Sequence, residues 1–122
     1  NPIVAMLTNT ATTRMAILCG SGTPAQQRFD VVDGGVTQAT VTSASGVSGQ
    51  VYKIAGAYAL NDFRVAQNGV LGTPDTAGTV PQGVTKLELG SFGSSSQLGG
   101  HIRRVAYCGR ALTNSQIQAL TT

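Results

Sequence analysis

Tryptophan is missing from this 122-residue chain, and histidine and glutamate each occur once, as His101 and Glu88. Charged residues make up only 11% of the sequence. These shortages exclude a good deal of chemistry. No serine or cysteine stands near His101 in a nucleophile motif such as Gly-x-Ser-x-Gly. Glycoside hydrolysis needs two carboxylates at a set separation, and Glu88 lies between Leu87 and Leu89 as a solvated outer-face residue on a strand. The four aspartates, Asp30, Asp33, Asp62 and Asp75, fall at strand or turn positions where Asp bends or caps the backbone. An enzyme is not expected. Nor is a nucleic-acid-binding protein, because the eight Lys and Arg residues behind the net charge of +3 are scattered. Arg103 and Arg104 are adjacent, which on a strand sends them to opposite faces. No apolar run of eighteen residues exists to span a membrane. The two cysteines, Cys19 and Cys108, are able to close a long loop as a disulfide. Both sit in apolar runs where a free thiol behaves as a small hydrophobe, so free thiols are expected.

What is present is glycine, 16 of 122 residues, with abundant Thr, Ser, Ala and Val and a hydrophobic share of 41%. That is the composition of an all-β domain with many turns, and neither of a helical bundle nor of a disordered chain. The length fits one domain, large enough to bury roughly two-thirds of its unfolded surface. Strand patterns fall at Ile3–Leu7, Arg14–Cys19, Gln27–Val32, Val36–Thr42, Val51–Tyr58, Phe63–Gln67, Val70–Gly72, Leu87–Gly90 and Ile102–Tyr107. Thr8 to Thr13 reads as a polar loop. Breakers intervene at Gly20–Pro24, Asp33–Gly35, Gly46–Gly49, Asn68-Gly69, Thr73–Gly83 and Gly93–Ser96. Near the end, Thr113 and Gln116 have capping-box spacing, and Ile117 and Leu120 share one helical face. Short strands between turn signals, with one short C-terminal helix, describe an antiparallel β-sandwich of jelly-roll type over residues 1–122. Its core would hold Ile3, Met15, Ile17, Phe29, Val31, Val41, Ile54, Phe63, Val65, Leu87, Leu89, Ile102, Val105 and Leu112.

Two kinds of site suit such a domain. Glycan recognition wants an aromatic face and hydroxyl-reading polar groups. Tyr58, Asn61, Asp62, Arg64 and Asn68 near one hairpin, with His101 and Arg103 towards the other end, supply them. Calcium would need loop oxygens. Asn61, Asp62 and Asp75 offer some, but without an Asp-x-Asp run turn chemistry is the better reading, and no cofactor is expected.

The run Ile102-x-x-Val105-x-Tyr107-x-x-Arg110-Ala111-Leu112-Thr113, followed by Ile117 and Leu120, resembles the closing signature of laminin G-like, concanavalin A-like sandwich domains. Cys108 and Gly109 depart from the usual residues of that signature. The wording Gly100-His101-Ile102-Arg103-Arg104-Val105 looks like the version at the ends of phage tail-fibre and virion surface proteins. The resemblance implies a closing strand, a C-terminal module of a longer chain made in the host cytoplasm, and a place on a virion. It implies a non-catalytic function of binding a host receptor or carbohydrate, with a homotrimer or other homo-oligomer as the assembly. The alternative is a structural or decoration domain contacting other virion subunits, with Ile3–Leu7 packed between subunits and Arg103 or Arg110 paired across the interface.

Overall fold

The structure, a computed structural model, describes residues 1–20, 25–46 and 49–122. The breakers expected at 21–24, and Val47 and Ser48 within the next cluster, lie outside the described residues. Eight strands are named among those described: β1 (Ile3–Thr10), β2 (Thr13–Cys19), β3 (Ala25–Asp33), β4 (Val36–Gly46), β5 (Ile54–Ala59), β6 (Asp62–Gln67), β7 (Val70–Leu71) and β8 (Lys86–Leu89). One helix, α1 (Asn114–Thr121), follows them. The fold is an all-β antiparallel sandwich. A five-stranded sheet of order β4-β3-β2-β1-β8 faces a three-stranded sheet of order β5-β6-β7.

Alternation decides which residues meet between the layers. Antiparallel register sets two apolar rows across the large sheet. One runs Leu87, Leu7, Met15, Val31, Ala39, and the other Leu89, Ala5, Ile17, Phe29, Val41. The small sheet rests on the β3–β4 end of these rows, with β6 against both strands and β7 against β4. Phe63 and Val65 of β6 therefore pack with Met15, Phe29, Val31, Ala39 and Val41 in the main core. Burial there contributes on the order of 1.5–3 kcal/mol for each large side chain. A second cluster, Ile3, Met6, Ala16 and Leu18, lies under Phe92. A third joins Ala57, Ala66 and Ile117, with Leu112 against it.

Several expectations are corrected by this arrangement. Thr8–Thr13 is no loop: β1 continues to Thr10 and β2 begins at Thr13, because the buried Thr8 hydroxyl reaches the Thr10 and Thr13 carbonyls at 2.6 and 3.1 Å. The strand expected from Val51 starts only at Ile54. Ile3 is buried, but with Met6 rather than in the main core, since register shifts between Ile3 and Ala5. β1 is paired on both sides, by β2 and β8. The largest correction concerns Ile102–Tyr107. It forms no strand, and Val105 is 38% exposed. Leu87 and Leu89, counted as core, are 51% and 49% exposed.

Candidate binding surfaces

The first candidate surface is the set of polar residues around β6. Asn61 turns the β5–β6 hairpin in the left-handed region at φ 55°, and Asn68 turns the next hairpin at φ 48°. Seven residues of extended chain separate them by about 20 Å, so they stand at opposite ends of the strand. Their side chains are engaged locally. Asn61 Oδ1 accepts the Gly78 N–H at 3.0 Å, and the Asn61 N–H donates to the Gly78 carbonyl at 3.0 Å. Asn68 Oδ1 accepts the Lys53 N–H at 2.9 Å. Arg64 and Asp62, two residues apart on one face, form an ion pair at 2.5 Å. These are the polar contacts of turns and loop anchors, made by residue types that favour them.

Asp75 does come close to this hairpin, because Phe63 and Asp75 exchange backbone hydrogen bonds at 2.9 and 3.0 Å. Its Oδ1 accepts the Ala77 N–H at 3.1 Å. The oxygens proposed for calcium thus share a neighbourhood but are each already bonded within the chain. Among the described residues, no three His, Cys, Asp or Glu side chains converge.

Tyr58 is set apart from that group. It stacks on Phe29 with ring centroids 6.2 Å apart, and its hydroxyl lies 3.4 Å from that of Tyr107. Burial, then the contact with Tyr107, push its phenol well above the ordinary value. His101 and Arg103 are exposed on the 101–112 segment, away from either end of β6 in sequence and outside any strand. The seven residues therefore form no single cluster: Asn61, Asp62 and Arg64 go together, Asn68 is remote, and Tyr58 belongs with Tyr107. Glu88 accepts the Gly93 N–H at 3.2 Å. Neither Cys19 nor Cys108 is in a disulfide. Cys19 is half-buried, with its pKa raised by that burial, and Cys108 is exposed.

The second surface was not anticipated. The two apolar rows run on past the small sheet to β8 at the edge. Along the first row exposure climbs from 0% at Val31 to 51% at Leu87, and along the second from 1% at Val41 to 49% at Leu89. The chain crosses over this uncovered part as Val105-Ala106-Tyr107, leaving a cleft of about 260 Å³. Ala5, Leu7, Met15, Ile17, Phe29, Gly56, Leu87 and Leu89 contribute to its walls. Tyr107, 65% exposed, lies at this cleft with its hydroxyl next to that of Tyr58. Leu-x-Leu alternation marks a strand in the sequence, but alternation cannot say that the strand sits beyond the covering layer. A lining this apolar removes ligand or partner surface from water, with Tyr107 bringing a hydroxyl to it.

No protein-family model matches the sequence, and no curated protein matches it significantly. Among solved structures the chain is similar to an S-layer domain-containing protein from Clostridium thermocellum, at 17% identity with a TM-score of 0.56. The match covers 100% of this chain and 63% of that one, and at such identity the likeness is one of fold.

Proposed function

We propose that this domain is a non-catalytic contact module of a phage tail fibre or other virion surface assembly, and that it works by packing its apolar cleft against other structural proteins. The observation that carries this reading is the outward run of the two inner-face rows to half-exposed Leu87 and Leu89, beside Val105 and Tyr107. An exposed contiguous apolar surface marks an interaction site more often than scattered apolar residues do. The polar residues suited to reading sugar hydroxyls are meanwhile engaged in turns and an ion pair.

The test is co-sedimentation of the chain with the other structural proteins of its particle. Val105→Asp together with Tyr107→Ser removes co-sedimentation on this reading, while Arg64→Ala leaves it unchanged. Retention of full association by the cleft variant would reject it. Recognition of a host glycan is the second reading, favoured by Tyr107 as an exposed ring with a second phenol beside it. It calls for binding to host-cell envelopes that Tyr107→Ala abolishes and free oligosaccharide competes away.

A further inference from the structure

The edge of the large sheet has a pattern that the cleft alone does not explain. β8 pairs with β1 on one side, and no strand lies on its other side among the described residues. The Gly90 N–H donates to the Val4 carbonyl at 3.0 Å, which makes Val4 and Gly90 a hydrogen-bonded pair. Antiparallel alternation then turns Glu88 and Lys86 towards β1 and leaves the N–H and C=O of Leu87 and Leu89 pointing outward. An edge of this kind is a template for another strand.

The side chains select which strand. Lys86-Leu87-Glu88-Leu89 is complementary to itself in the antiparallel sense. Laid against a second copy about a two-fold axis through Leu87, it sets Leu87 opposite Leu87, Lys86 opposite Glu88 and Glu88 opposite Lys86. A centre one residue later would oppose Glu88 to Glu88, which like-charge repulsion disfavours. In the favoured register the outward backbone groups of both Leu87 residues meet as a hydrogen-bonded pair. The two half-exposed leucines cover each other, and the apolar row Leu87-Leu7-Met15 continues into the same row of the partner.

We infer that two copies of this chain join through β8 in an isologous dimer, forming one continuous ten-stranded sheet with Leu87 on the two-fold axis. The inference rests on the reading of the domain as a contact module and names one of its contacts. A symmetric pairing of this kind closes at two subunits.

Sedimentation of the isolated chain across a concentration series tests it, and the expected result is a monomer–dimer equilibrium. Lys86→Glu and Glu88→Lys each put two like-charge pairs across the axis and weaken the dimer about tenfold, whereas the double exchange restores it. Leu87→Pro removes only an outward N–H and yields a folded monomer. In a Cys108→Ser background, Leu87→Cys cross-links to itself on oxidation, since a hydrogen-bonded antiparallel pair holds its Cα atoms about 5.5 Å apart. A monomer at every concentration overturns the inference, as does a trimer, or a dimer that neither charge variant weakens. A chain that stays monomeric yet still co-sediments with its structural partners overturns the dimer and leaves the contact-module reading standing.

Discussion

Gly56 shows how little room this sandwich leaves between its layers. A Cβ built there would stand 2.7 Å from the Phe29 ring, closer than carbon atoms approach without movement. Phe29 is itself held by Tyr58 stacked on it. Gly56→Ala is therefore expected to lower stability by about 1–3 kcal/mol, measured by urea unfolding, through displacement of a ring in a packed core. Tyr58 makes the second prediction at this scale. Its native phenol titrates above the ordinary tyrosine value of 10.0, so the folded state keeps the proton that the unfolded state releases. The stability this contributes is complete below pH 10 and is lost as pH rises beyond it. Tyr107→Phe removes the lesser part of the shift and leaves burial as the larger, so the Tyr58 absorbance titration should move down only part of the way to the ordinary value.

Among the elements, α1 is short enough to depend on the residue that caps it. Thr113 caps it in full: its Oγ1 accepts the Gln116 N–H at 3.3 Å, and Gln116 Oε1 accepts the Thr113 N–H at 3.0 Å. Eight residues are too few to hold helix by propensity alone. The rest comes from Ile117, 1% exposed between Ala57 and Ala66. Thr113→Ala is expected to cost about 1 kcal/mol. Ile117→Ala should cost about 2–5 kcal/mol, because it leaves a hole in that cluster. Thermal unfolding of both variants checks the order. The capping box could be read from residue spacing because it involves only four successive positions. The strand expected at Ile102–Tyr107 failed for the opposite reason. β-branched residues record a preference for extended chain, and a ladder partner has to be supplied from elsewhere in the fold.

For the molecule as a whole, the two sheets are joined by more than apolar packing. The buried Ser43 hydroxyl on β4 lies 2.5 Å from Gln67 Oε1 on β6 and 3.1 Å from the Gln27 carbonyl. Gln67→Leu removes the inter-sheet partner of a buried polar group, and an expected loss of about 1–3 kcal/mol in urea unfolding would check that. A change within a few tenths of a kcal/mol would show that the bond is of no consequence to the sandwich.

Composition and local pattern by themselves determined that the chain is an antiparallel β-sandwich with a capped terminal helix, and alternation placed Phe29, Val31, Val41, Phe63 and Val65 in its core. Those properties are local, since a period of two and a capping pair are written in neighbouring residues. Only the tertiary structure decided that Leu87 and Leu89 belong to an uncovered edge, that Asn61 and Asn68 stand at opposite ends of β6, and that Tyr58 meets Tyr107 across 49 positions of sequence. The physical reason is that burial depends on the reach of the opposing layer. A three-stranded sheet resting on β3 and β4 leaves the β1–β8 side of a five-stranded one open, whatever the alternation of its residues.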